Sequence, residues 1–112
     1  LAETGTTLVK CFLHISKDEQ RDRLQERVDD PHKHWKLGMA DIEERGYWDE
    51  YMAAYEDAIN ATATPHAPWH VIPANSKSHR SLMVAEILLG VMERLKPEYP
   101  AGNPAFNGLK VE

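Results

Sequence analysis

The run Thr6–Ile15, TTLVKCFLHI, constrains this chain more than any other stretch. Leu8, Val9, Cys11, Phe12, Leu13 and Ile15 leave few polar positions, so the segment reads as a strand over 7–15 without the in–out alternation of a half-solvated sheet. A strand of that kind has both faces covered, as in a parallel sheet between helical layers. Ser16-Lys17-Asp18-Glu19 follows with capping-box spacing. The Ser16 hydroxyl is expected to accept from the backbone N–H three residues on, and Glu19 to reach back to the Ser16 N–H. The same order recurs later. Residues 69–74, WHVIPA, form a second short strand, and the polar turn Asn75-Ser76-Lys77-Ser78 then opens a helix over 78–95, with Ser76 or Ser78 as its cap. Two strand-to-helix junctions predict an α/β fold with two parallel-type strands. Two such strands do not complete a sheet, so further strands are expected outside these 112 residues. The opening Leu1-Ala2-Glu3-Thr4-Gly5, which has no initiator Met, agrees with an internal fragment.

Between the strands lies a long helical region, 16–60. Its first helix carries only Leu24 and Val28 as strong apolar anchors and ends before Pro31, so it is thinly attached to any core. Pro31–Met39 reads as a connector with at most one helical turn. A second helix runs through ADIEERGYWDEYMAAYEDAINA, with Ile42, Tyr51, Met52, Tyr55 and Ile59 at helical spacing and Gly46 as a weak point. Cations are concentrated here: Arg21, Arg23, Arg27, Lys33, Lys36 and Arg45. Guanidinium groups grip phosphate oxygens bidentately, and inward-facing arginines on a mobile helix pair are a means of neutralising charge in phosphoryl transfer. The competing reading is a solvated helix face with local pairs such as Glu26 with Arg23. Lys77 and Arg80 follow the second strand, where ligands of open α/β sheets sit; the competing reading there is an ordinary strand-to-helix turn.

Other classes are disfavoured. With 42% hydrophobic and 28% charged residues the chain is not of disordered composition. A net charge of −5 argues against broad binding to nucleic acid or an anionic membrane. Cys11, a single cysteine, forms no internal disulfide and is expected as a buried reduced thiol. There is no signal-peptide pattern and no apolar run near the roughly 18 residues of a spanning helix, which favours a cytoplasmic setting. The six histidines show no zinc spacing, and no metal-ligand set is assigned. No G-x-x-x-x-G-K-S/T loop is present, so these residues cannot cradle a triphosphate in the P-loop manner by themselves. The tail 96–112, rich in Pro, Gly and Asn, is expected to lie loosely over the surface.

The ordered positions Gln20, Arg27, Asp30-Pro31, Trp35-Lys36, Asp41, Arg45, Trp48-Asp49, Tyr51, Thr64, Ala67-Pro68-Trp69, Lys77 and Arg80 resemble the pattern of family-2 polyphosphate kinases over roughly residues 7–100. The resemblance implies the C-terminal portion of a P-loop kinase, a thymidylate-kinase-like three-layer sandwich, in which 16–60 is the lid and the Walker motifs lie in an N-terminal half. It implies phosphoryl transfer, with Mg²⁺ bound mainly by that half, between inorganic polyphosphate and a nucleoside mono- or diphosphate, in an enzyme that is commonly a homo-oligomer. It assigns catalytic lid contacts to Arg27, Lys36 and Arg45, support of the lid to Asp41 and Asp49, and nucleotide or polyphosphate contacts to Lys77 and Arg80. Trp35, Trp48 and Trp69 are expected to be packing residues, and Arg21 and Arg23 surface ones. The alternatives are a non-catalytic helical module that binds another protein, and a different P-loop kinase with the same lid layout.

Overall fold

A computed structural model describes residues 5–112; Leu1–Thr4, on which the fragment reading partly rests, lie outside the described residues. The elements run β1 (Lys10–His14), α1 (Lys17–Asp29), a 3-10 helix (Pro31–Lys36), α2 (Met39–Glu44), a 3-10 turn (Arg45–Tyr47), α3 (Trp48–Thr62), β2 (Trp69–Pro73), α4 (Lys77–Leu95) and a last 3-10 turn (Pro104–Phe106). β1 and β2 pair in parallel, from Lys10↔Trp69 to His14↔Pro73. β1 is shorter than the apolar run because its partner begins after Pro68, which has no N–H to donate to the ladder. At the far end the Ala74 N–H adds a bond to the His14 carbonyl at 2.7 Å.

The expectation that both strands are buried on both faces fails among the described residues. Only Ile72 and Ala74 are buried, while Leu13 and Val71 are 48% and 57% exposed. Cys11 is half-buried rather than enclosed, for the same lack of a covering layer. The Cα radius of gyration is 21.4 Å, against roughly 13 Å for a compact chain of this length. The molecule extends over 64 × 42 × 23 Å.

Ser16 caps α1, its Oγ accepting from the Glu19 N–H at 3.1 Å. The reciprocal half of the capping box does not form. The Ser16 N–H donates to Asn75 Oδ1 at 2.9 Å, and Glu19 takes Arg23 instead. The long second helix is two helices. Gly46 sits in the 3-10 turn that separates them, where the missing side chain makes helix continuation cost about 1 kcal/mol more than alanine would. Ser76, not Ser78, caps α4, which begins one residue earlier than the spacing predicts. Lys96 ends it in the left-handed conformation, φ 47°, ahead of Pro97. The tail is exposed throughout.

Candidate functional site

The connections between the strands fold back to form a cavity of about 470 Å³ between α1, the first 3-10 helix, α2 and α3. Four cations from three different elements line it: Arg23 and Arg27 on α1, Lys36 at the end of the 3-10 helix, and Arg45 at the turn after α2. Gln20 adds a polar group from α1, Asp41 and Glu44 bring carboxylates, and Trp48, Tyr51 and Tyr55 supply an aromatic wall. Asp49, Lys77 and Arg80 do not line it. Asp49 lies in the first turn of α3, and Lys77 and Arg80 in the first turn of α4.

Arg45 and Lys36 are held differently. Arg45 Nη1 donates to the Lys17 carbonyl at 2.6 Å and to Gln20 Oε1 at 3.4 Å, tying the turn after α2 to the first turn of α1. Among the described residues its Nη2 and Nε have no partner, so part of the fork remains available. Lys36 stands over the ring of Trp35, its Nζ 5.1 Å from the centroid. That tryptophan is 80% exposed, which corrects the expectation that it packs. The 3-10 helix bearing it is started by the Asp30 side chain, which caps His32 N at 3.0 Å with Pro31 in the first turn. Trp69 is half-buried, donating through Nε1 to Thr62 Oγ1 at 2.7 Å, and Trp48 is half-buried in the cavity wall.

Asp41 forms no ion pair with the cavity cations among the described residues. Its Oδ2 accepts from the Gly38 N–H at 2.9 Å and so fixes the start of α2. Tyr51 is held above the ordinary phenol range first by the negative charge of Glu44, so it stays a neutral donor. Lys33 pairs with Glu26 and lifts no cation into the cavity. The pairing holds the Glu26 carboxyl below its ordinary value and the Lys33 ammonium above its own. The expected Glu26–Arg23 pair is thereby replaced.

Arg23 is the residue that sequence reasoning misplaced. It is not a surface group: its side chain is only 24% exposed, with Nε on Glu19 Oε1 at 3.0 Å and Nη2 on the carbonyls of Ala74 and Asn75 at 2.9 and 3.1 Å. The i,i+4 spacing of Glu19 and Arg23 was the available signal, but the carbonyl partners lie some 50 residues away. Arg21 does stay on the surface, beside Asp18 and Asp22. No group of His, Cys, Asp or Glu among the described residues is arranged to hold a metal ion, and none of their helices is long and apolar enough to cross a membrane.

A family profile described as Polyphosphate kinase 2 (PPK2) matches residues 1–100. An AMP/ADP-polyphosphate phosphotransferase of Meiothermus ruber is 52% identical over 112 residues, which is 100% of this chain and 42% of that protein. An ADP-polyphosphate phosphotransferase of Rhodopseudomonas palustris is 48% identical over 105 residues, 94% of this chain and 36% of its own length. Among solved structures, the crystal structure of Polyphosphate Kinase 2 from Arthrobacter aurescens superposes with a TM-score of 0.87 at 49% identity, covering 91% of this chain and 36% of that one. The chain therefore spans about two-fifths of the length of these relatives.

Proposed function

The chain belongs to the polyphosphate kinase 2 family, and on that premise we propose that it forms the lid and part of the nucleotide pocket of a kinase that moves a phosphoryl group between inorganic polyphosphate and a nucleoside mono- or diphosphate. One observation carries the reading: Arg27, Lys36 and Arg45, separated in sequence and set on three elements, converge on one cavity. In-line phosphoryl transfer asks little covalent chemistry of a protein and much charge neutralisation and positioning. In this proposal Arg27 and Arg45 hold oxygens of the phosphate chain with paired N–H donors, and Lys36 adds a point charge at the rim. Arg45 arrives pre-oriented by the Lys17 carbonyl, so it loses little freedom on contact. Asp41 supports the lid by starting α2, and Asp49 by its place in the first turn of α3. Lys77 and Arg80 would meet the nucleotide or the end of the chain beyond the strand ends.

The remaining kinase machinery, in the P-loop form, is proposed to lie in sequence that these 112 residues do not contain. The near absence of a buried core and the relatives' greater length support this. Magnesium does not fit the residues present: the cavity carboxylates are few, and Asp41 is committed to a backbone N–H. Any Mg²⁺ in the reaction would be held by that other part, and no step is assigned to it here. A cytoplasmic, oligomeric enzyme is the setting proposed.

The test is ATP formation from ADP and polyphosphate by the native polypeptide that carries these residues. The Arg27→Ala, Lys36→Ala double variant should lose at least about 100-fold in kcat/KM, as expected for removal of two charge-assisted phosphate contacts. An unchanged rate would show that the cavity is not the phosphate site.

A further inference from the structure

We propose that Asn75 is a positioning residue: it sets the spacing between the cations of α1 and those of α4 at the phosphate site. The inference rests on the reading of that site given above. In an open parallel sheet the ligand lies beyond the carboxyl ends of the strands. Here β1 and β2 end side by side at His14 and Pro73, and α1 and α4 spring from those ends. The ladder fixes the strands but not the two helices that follow them. The tie between those helices is a set of bonds centred on Asn75. Its Oδ1 accepts from Ser16 N at 2.9 Å, and its Nδ2 donates to Ser16 Oγ at 3.3 Å. The same Ser16 Oγ caps α1 through Glu19 N.

Asn75 thus occupies the place that a capping box gives to Glu19. That releases the Glu19 carboxylate to hold Arg23, whose Nη2 closes the clasp on the carbonyls of Ala74 and Asn75 itself. Arg27 lies one helical turn beyond Arg23 on the same face of α1, and Lys77 lies two residues after Asn75. The two groups share one electrostatic neighbourhood, since Lys77 and Arg27 both help to hold the Glu26 carboxyl low, behind the larger effect of Lys33. Asn75 is exposed, uncharged and outside the cavity lining. Its removal takes no charge from the site, so an effect on substrate reports geometry.

The experiment uses the native polypeptide, with inorganic polyphosphate and ADP varied separately and at a temperature well below the thermal midpoint. Asn75→Ala should raise KM for polyphosphate about tenfold with kcat within about twofold, the pattern of weakened binding common to ground and transition states. Asn75→Asp keeps an acceptor for Ser16 N and offers a second oxygen to the Ser16 hydroxyl proton. In salt that screens its added charge, its KM should return to within about twofold of wild type. The Ser16→Ala, Asn75→Ala pair should be clearly non-additive in kcat/KM, as for residues in contact. If Asn75→Ala does not fold, Asn75→Ser, which has one shorter acceptor, should raise KM about threefold. Wild-type KM in the alanine variant, or an aspartate variant as impaired as alanine at high salt, overturns the proposal. Wild-type protein that transfers no phosphate from polyphosphate is a separate result, read before any variant. It refutes the phosphate-site reading and this inference with it.

Discussion

Replacing Arg45 by lysine tests the proposed phosphate site at its most constrained point. The guanidinium does two things at once in this structure. Nη1 is spent on the Lys17 carbonyl at 2.6 Å and more weakly on Gln20, while Nη2 and Nε are left for a ligand. A lysine ammonium carries the same charge but has one nitrogen and no rigid fork, so it cannot reach the carbonyl and a phosphate oxygen in that geometry. One charge-assisted hydrogen bond is therefore lost, either to the backbone or to the substrate, at about 1.5–3 kcal/mol. With a factor of ten for about every 1.4 kcal/mol, Arg45→Lys should lower kcat/KM about 10- to 150-fold. The assay is initial-rate ATP formation with polyphosphate and ADP varied independently, alongside a thermal midpoint for each protein. Activity within about twofold of wild type would mean that charge alone is needed at this position, and the argument from the divided fork would be wrong.

Two further outcomes follow from the packing and the charges. Among the described residues Ile72 is the one large side chain that is fully enclosed, so Ile72→Ala should cost about 2–4 kcal/mol in chemical denaturation; a loss below about 1 kcal/mol would mean the site collapses around the smaller side chain. The Glu26–Lys33 pair predicts a pH window. Glu26 lies below its ordinary value, so its contribution is present above the carboxylate range and fades as pH falls through the lowered value, while Lys33 lies above its own, so its contribution fades only as pH rises through the raised one. The difference in thermal midpoint between wild type and Glu26→Gln should be small, constant from about pH 6 to 9, and lost as pH falls through the lowered Glu26 value, whereas a difference that persists once this carboxyl is protonated would assign it to something other than this pair.

The local grammar of the chain was readable because it depends on near neighbours. Ser16, Pro31, Gly46 and Ser76 each act on the backbone within a few residues, and each marks a boundary that the structure has. What could not be read was the company of residues distant in sequence. Glu19 and Ser16 have capping-box spacing, yet the Ser16 N–H donates to Asn75, an amide that the parallel pairing places beside it, and Glu19 holds Arg23 instead. Arg23 looked like one of several surface arginines until the end of β2 gave it two carbonyls. Trp35 was expected to pack, but among the described residues it stands exposed with Lys36 over its ring. For the candidate site, the type and number of cations were visible in the sequence. The gathering of Arg27, Lys36 and Arg45 in one cavity, and the separation of Lys77 and Arg80 from it, required the turns between the helices.

The parallel pairing of β1 with β2 also has a kinetic and an evolutionary side. The Ser16–Asn75 bond joins residues 59 apart, so the whole helical region between the strands is a loop that must close before the ladder can form. Closing a flexible loop of that length costs roughly 4 kcal/mol, but doubling it would add only about 0.6 kcal/mol. The helices of this region can form early from local contacts, and the sheet would zip last, as the slow step set by topology. The same logarithm makes the length of this region nearly neutral for stability. Insertions or deletions in the connection between α3 and β2, which does not line the cavity, could accumulate among descendants of this sequence while the two strand ends, and the clasp that joins them, stay fixed.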